Sequence, residues 1–468
     1  MTTDTLLNTP SEYHIKSILI ESNIDNRKPI DMIQAFKSIQ IFEGVTYNFI
    51  YGNITILDTS GIIESFPLVG EEKISFKIKK KMGSEEYFDV KGHIYSITNR
   101  QKKEGSNLVE TYQLNFISEL AMLNQIHRVS KTYTGKISSM VEKISSDYLK
   151  LKKIDKIEEK SLKPYETILI EDTMDNNKLN IPNLNPIESI NFLNKFAYSQ
   201  NENDADPFNT TFFFYQTRQG FFYQSIEKSI LNFKKSLKEQ KNKVKYEFNI
   251  LKNTLIRDKP NELFNLDDVF TVSNFEILNM YDNFEAVNSG YYGGTNIGYD
   301  TLTKSFHKYD FNYDKNFDKI VNLEKYNTNS KDFIFNKNPE KTNIFTLPTK
   351  AGSDKSKYIS QKTKKDIFYD KREKINLLKY IKKSRFNNGL VIKINIPSHP
   401  KINVNDIINL KFPSFMRDDS GKKMGFDDKY FSGDYVVISI EHTLTDTTDK
   451  FWEMSLTLLK DSYKKEIK

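Results

Sequence analysis

The sequence predicts a mainly β protein with helical insertions (α+β). Three features lead there: short apolar runs of period two crowd both ends of the chain, helical spacing is confined to the middle, and polar or glycine-containing turns separate the strands. The 468 residues allow roughly three domains at about 150 residues each. With 34 Phe, 26 Tyr and 38% hydrophobic residues, the chain can build extended cores and is not disordered as a whole.

From Tyr13 to Ile78 the chain reads as strands at His14–Glu21, Ile39–Phe42, Gly52–Asp58 and Lys73–Ile78. In the last of these Ile74, Phe76 and Ile78 alternate with Ser75, Lys77 and Lys79, which gives the sheet one wet face. Lys77 and Lys79 then face either a wet channel or the exterior. Tyr87–Ile97 and Glu110–Ile117 follow, joined across the polar stretch Asn99–Asn107. About six strands, partly antiparallel, point to a barrel or a sandwich.

Ile117–Leu151 shows helical spacing, with Ile137, Met140, Val141 and Ile144 on one face. Pro186–Ala197 is a second helix, with proline in its first turn. Thr211–Thr217 and Gly220–Ser225 are aromatic strands of a hairpin turning at Arg218-Gln219-Gly220, where the glycine tolerates positive φ. Ser236–Lys245 and Lys337–Lys365 read as loops or linkers. Phe264–Asp310 mixes strand and helix pieces around the Gly/Tyr-rich stretch 289–295. From Leu390 the β pattern returns at Val391–Ile396, Ile407–Pro413, Gly433–His442 and Trp452–Leu459, which predicts a second small barrel.

The composition excludes several function classes. With no cysteine there are no disulfides, thiolate zinc sites, iron–sulfur clusters or cysteine nucleophiles. The start Met1–Pro10 lacks the basic-then-apolar pattern of a secretion signal, and no run reaches a bilayer span of roughly 18 apolar residues. The expectation is a chain made in a cytoplasm, with no membrane partner. The 69 basic and 62 acidic residues give +7, but acids are interspersed with bases, so the charge reads as a solvated surface rather than a nucleic-acid footprint.

No catalytic constellation emerges. Gly290–Gly294 is glycine-rich but no Lys-Ser/Thr follows, so it reads as a turn and not a phosphate loop. His14, His93, His127, His307, His399 and His442 share no metal-site spacing and read as ordinary strand or surface residues. Glu71 and Glu72 are adjacent, point to opposite strand faces and read as a solvated edge. Glu202, Asp204 and Asp206 lack the glycine and closing glutamate of a calcium loop. Phe212–Tyr215 and Phe221–Tyr223 would stack on bases if exposed, but consecutive aromatics on paired strands normally pack. No catalytic, cofactor-binding or metal-ligating residue is assigned, and binding or assembly becomes the leading class.

The segments Phe66-Pro-Leu-Val-Gly-Glu-Glu-Lys-Ile-Ser-Phe, Tyr112–Ser118, Ser130–Ser138, Pro186–Leu193, Phe212–Phe221 and Ser432–His442 stand in an order that resembles the central baseplate hub proteins of contractile-tailed phages of the T-even type. The resemblance covers most of the chain and weakens across Lys337–Lys365. It implies a homotrimer with two tube-like antiparallel β-barrels per subunit, interrupted by a helix-containing domain. The trimer would join a sixfold tail tube to a threefold spike. Implied partners are a tail spike protein, a tail tube or tube-initiator protein and other baseplate subunits, with nucleic acid only in lumen passage. The implied location is the virion tail baseplate, after assembly in the host cytoplasm. On this reading residues 1–122 form the first barrel, 123–235 the helical insert with its aromatic hairpin, and 236–336 a β/α continuation. Residues 337–375 form a Lys/Asn-rich linker or insertion, and 376–468 the second barrel. Phe66–Phe76 and Gly433–His442 are expected in the ring. The chain is expected not to be an enzyme; the alternatives are a tail-associated cell-wall hydrolase and a single-strand nucleic-acid binder using the hairpin and Lys234–Lys245.

Overall fold

The computed structural model describes residues 11–24, 27–66, 68–80, 88–102, 109–155, 165–200, 208–239, 246–250, 270–280, 282–300, 305–328, 344–349, 367–414, 427–446 and 450–466. Strands dominate, and 14 of them belong to a single sheet.

The N-terminal lobe is contiguous in sequence. Phe36–Gly44 pairs with Tyr51–Asp58, which pairs with Glu110–Ile117; Phe88–Lys102, Lys73–Lys80 and Tyr13–Glu21 follow in order, all antiparallel. Each strand alternates, and its inward residues form one core that includes Ile39, Ile41, Ile54, Phe76, Leu114 and Phe116. At roughly 1.5–3 kcal/mol per buried large apolar side chain, this alternation is the lobe's main driving force.

The C-terminal lobe draws on distant segments. Leu390–Pro397, Lys450–Lys460 and Gly433–Asp446 pair in that order, and Gly433–Asp446 also pairs with Ile407–Lys411, which takes Glu247–Ile250 in parallel. Thr271–Val272 pairs with Glu247–Ile250, and one residue later Asn274–Asn279 pairs with Leu390–Pro397. Ile392, Ile394, Met454, Leu456 and Leu458 lie in this lobe's core.

Two long strands serve both lobes. Gly433–Asp446 puts Ile440 in the C-terminal core and Leu444 in the N-terminal one, and pairs with Phe36–Gly44 along the way. Lys450–Lys460 likewise puts Trp452 in one core and Met454 in the other. The two closed barrels expected from sequence are therefore not what the strand pairing forms among the described residues: the lobes are parts of one continuous sheet. The physical reason is strand length, because 14 and 11 residues outrun one lobe and continue into the next. Between Tyr13–Glu21 and Lys450–Lys460 a backbone bond from Trp452 N–H to Ser11 O (3.0 Å) crosses the gap.

The insert packs its own core from Val129, Ile137, Met140, Val141, Ile144, Ile187 and Ile190. The expected single helical stretch 117–151 is two helices, Glu119–Ile126 and Ile137–Leu149, split by the strand Val129–Gly135. That strand pairs with Asn177–Leu184, and its buried Val129 and Tyr133 alternate with exposed Ser130, Thr132 and Thr134. Pro186–Asn194 is a helix as expected, started by a capping box in which Asn185 accepts from Glu188 N–H and the Glu188 carboxylate accepts from Asn185 N–H. Within the expected linker 337–365, Ile344–Thr349 is instead a strand beside Gly293–Asp300; an apolar and β-branched run of this kind favours that state. Residues 350–366, like Pro67, Tyr87, 103–108 and 240–245, lie outside the described residues. The sequence reading did not anticipate the helix Ile367–Asn388.

Candidate functional site

The feature that spans the molecule is the outward face of the shared sheet. Because side chains alternate, the residues between the buried isoleucines and leucines all point the same way. Asn115 lies opposite Asn53, Asn53 opposite Gln40 and Gln40 opposite Thr443. One step along, Glu441 lies opposite Ser455 and Ser455 opposite Asn395. The row thus passes from the N-terminal lobe to the C-terminal lobe without interruption.

These polar groups satisfy each other sideways. Asn115 Nδ2 donates to Ser96 Oγ (2.9 Å) and Thr98 Oγ1 (3.0 Å), and Asn53 Nδ2 donates to Gln40 Oε1 (3.0 Å). Gln40 Nε2 donates to Glu441 Oε1 (3.5 Å), which Lys393 also holds through Oε2 (3.2 Å); Ser455 Oγ donates to Asn395 Oδ1 (2.9 Å). In the middle of the face the charged groups are Glu441, Lys393 and Glu453. Burial, together with the neighbouring charge of Glu441, raises the Glu453 carboxyl above its usual range, against a hydrogen bond from Ser273. The result is a broad half-buried face of amides and hydroxyls with no concentrated cationic site.

The margins differ in chemistry. On one side Phe42 stacks on Tyr51 (5.0 Å) and Tyr47 meets Tyr51 edge-on (5.4 Å), and burial beside Tyr47 pushes the Tyr51 hydroxyl up to about 12. On the other, Lys73, Lys77 and Lys91 are exposed. Lys79 is half-buried, while Lys80 is buried in the opposite face and donates to Ser398 O (2.6 Å), where desolvation lowers its ammonium to about 8. Lys80 is thereby a tie between the lobes and not a surface charge.

Buried polar groups fasten the other junctions. His442 and Glu43 meet at 3.3 Å with both side chains almost wholly buried, walled by Phe88 and Trp452. Burial pushes the imidazole below its usual value, partly offset by Glu43, so the ring is held neutral. Glu227 accepts from Thr210 and Thr211 N–H and pairs with Lys382 (3.5 Å), joining the hairpin and the helix Ile226–Glu239 to Ile367–Asn388. Arg385 lies between the rings of Tyr291 (4.1 Å) and Tyr313 (3.4 Å).

The residues singled out from sequence distribute as follows. Gly290–Gly294 is a turn opening the strand Gly293–Asp300, with Tyr291 and Tyr292 buried and Ser289 bonded to Ser384 and Asn388 of the C-terminal helix. The hairpin aromatics pack: Phe212, Phe214, Phe221 and Tyr223 fill the insert core and Tyr215 the C-terminal core, with a two-residue turn and Gly220 at φ 135°. That division leaves the single-strand stacking platform without its platform. Of the acidic pair, Glu71 is exposed, but Glu72 is not a solvated edge. Its carboxylate is buried and accepts from the N–H groups of Val69, Gly70 and Glu71 (2.7, 3.0 and 3.1 Å). His442 is a strand residue as expected, but its burial against Glu43, 399 positions away, has no local signal. His14 is exposed, and His93, His127 and His399 are half-buried. Glu202, Asp204 and Asp206, and the side chain of His307, lie outside the described residues. Among the described residues no three His, Asp or Glu side chains gather as a metal site, and no helix is long and apolar enough to cross a membrane.

No protein-family model and no curated protein matches the chain. Solved structures do, over nearly its full length. The 43 kDa tail protein of prophage MuSo2 from Shewanella oneidensis is 9% identical, with 95% of this chain and 98% of that one aligned at a TM-score of 0.51. A tail protein of Neisseria meningitidis is also 9% identical, over 96% and 97%, at 0.48. An Escherichia coli component of the type VI secretion system is 8% identical, over 96% and 77%, at 0.38. The alignment with the MuSo2 protein shows a fold shared with a prophage tail protein, in line with the phage-tail resemblance of the ordered sequence segments.

Proposed function

We propose that the chain is a structural, non-enzymatic subunit of a phage tail baseplate, acting as a central hub. In this reading three copies form a ring that joins a sixfold tail tube to a threefold spike, and the location is the virion. The observation that carries it is the end-to-end alignment with the MuSo2 tail protein together with two sheet lobes sharing one face dominated by amides and hydroxyls. Two lobes per subunit give three copies a pseudo-sixfold ring. Each lobe then stands as a barrel-like unit in the ring, its open ends brought near each other by residues 271–279 in the C-terminal lobe and by the Ser11–Trp452 contact in the N-terminal one. The division into 1–122, 123–235, 236–336, 337–375 and 376–468 belongs to this proposal, as do the spike, tube and other baseplate partners.

The shared face supplies the lumen wall. A polyanion is held by clustered Lys and Arg, so a wall of Asn, Gln, Ser and Thr lets nucleic acid pass without gripping it. Light scattering on the purified chain, followed by electron-microscope imaging, tests the proposal. The expected result is a threefold ring with a central channel. A monomer at all micromolar concentrations, with a spike protein also failing to trimerise it, rejects it.

A further inference from the structure

Eleven large apolar side chains are exposed among the described residues, and eight of them fall in two patches, one on each lobe. On the C-terminal lobe Phe275, Ile277 and Leu278 lie on the strand Asn274–Asn279, with Met280 and Phe284 just beyond. This strand pairs with Leu390–Pro397 on one edge, and residues 274–278 are exposed in succession, on both faces. Among the described residues no strand pairs with its other edge, and an apolar edge of this kind is a template for association. Between residues 274 and 288 the charged residues are Glu276, Asp282 and Glu285, all acidic.

On the N-terminal lobe Ile24, Val69 and Tyr95 are exposed, Val69 at 69%. The loop that carries Val69 is rigid: the Glu72 carboxylate gathers three of its amides, and Asn23 Nδ2 donates to Glu71 O (2.8 Å), which holds the Ile24 turn beside it. A rigid exposed valine is a preorganised contact and not a stray surface residue. The charges around this patch are mixed with a basic excess: Arg27 lies over Phe66, Lys28 and Lys91 are exposed, and Lys73 follows the loop opposite His93 and Glu21, while Glu71 is exposed within the loop.

We propose that these two patches bind each other between copies of the chain, the apolar, acidic surface of Phe275, Ile277, Leu278, Met280 and Phe284 of one subunit covering the apolar, mainly basic Ile24/Val69/Tyr95 surface of the next. The inference rests on the trimeric reading above and adds the location of its seam. Two unlike patches make a head-to-tail contact, which closes into a ring when the rotation allows; a patch that met its own copy would stop at a dimer.

The chain has no cysteine, so disulfide trapping has a clean background. Val69→Cys and Leu278→Cys, both at exposed positions, are made singly and together in the full chain, with elution volume and circular dichroism confirming the native fold. Under mild oxidation the double variant is expected to give covalent trimers. The two single variants are expected to give covalent dimers only when mixed. Leu278→Cys homodimers, or a trimer by light scattering that yields no cross-link, overturn the seam while leaving the hub reading intact. A monomer in every variant and in the unmodified chain, with a spike protein also failing to trimerise it, overturns both.

Discussion

The two lobes reach similar β architectures by opposite routes. The N-terminal lobe uses neighbouring strands between Tyr13 and Ile117, whereas the C-terminal lobe gathers Glu247–Ile250, Thr271–Val272, Asn274–Asn279, Leu390–Pro397, Ile407–Lys411, Gly433–Asp446 and Lys450–Lys460 from distant parts of the sequence. The difference teaches where the molecule's cooperativity lies: local pairing organises the first lobe early, but it needs Leu444 and Trp452 from the second to complete its core. The lobes are therefore expected to unfold as one unit.

The largest test of that coupling is Trp452→Ala. Trp452 is fully buried between Phe88 and His442 at the lobe junction, on a strand whose next inward residues belong to the other core. Truncation of a buried aromatic costs about 3–5 kcal/mol. Urea unfolding followed by circular dichroism is expected to show that loss in a single transition for both lobes. Two separated transitions, with the C-terminal strands surviving, would show instead that the lobes are independent.

The contrast between lobes also explains what the sequence disclosed. Ile74/Phe76/Ile78 and Leu114/Phe116 announce half-buried strands by period alone, and all the strands read between His14 and Ile117 are present. The hairpin at Arg218-Gln219 and the helix at Pro186 carry their own turn and cap chemistry. Val129–Gly135 was hidden because its partner, Asn177–Leu184, lies about fifty residues away in sequence, at register pairs such as Tyr133 with Leu179. The continuous polar face was equally hidden. Asn53, Gln40 and Ser455 look like ordinary alternate residues until pairing aligns them. Glu43–His442 and Glu227–Lys382 have no signature at all, since polar contacts between residues so far apart in the chain leave no local pattern.

The second test concerns the joint between insert and C-terminal helix. Lys382→Met removes the cation beside Glu227, whose carboxyl is held below its usual range by Lys382 and by hydrogen bonds from its own N–H, Thr210 and Thr211 despite burial. Leaving that carboxylate unpaired is expected to cost about 3 kcal/mol, measured by thermal or urea unfolding. The paired variant Lys382→Met/Glu227→Leu is expected to recover much of it; no recovery would assign the loss to packing rather than charge.

A smaller effect comes from pH. His442 binds a proton less readily folded than unfolded, because burial lowers its value from 6.5. The unfolded chain therefore gains a proton first as pH falls, and stability drops below about pH 6.5, by no more than about 1.4 kcal/mol per unit for one group. The chain's single tryptophan, Trp452, sits against His442, so its fluorescence during urea unfolding at pH 7.5, 6.5 and 5.5 reads the junction directly. His442→Gln is expected to flatten the slope in that window, and an unchanged slope would assign it to other groups.

The smallest expected effect separates the shared face from the cores beneath it. Asn53→Ala removes one lateral bond to Gln40 on a half-buried surface, so about 1 kcal/mol or less should be lost. Ile54→Ala, one residue along and fully buried, should cost about 2–5 kcal/mol. If the face exists to line a channel, Asn53→Lys with Asn115→Lys should leave folding and ring formation near normal while adding cations opposite one another on the wall. Salt-dependent retention of nucleic acid by the assembled ring, absent in the unmodified protein, is the expected readout. Retention equal in both would place this face outside the lumen, because two new cations on a channel wall have no means of being invisible to a polyanion inside it.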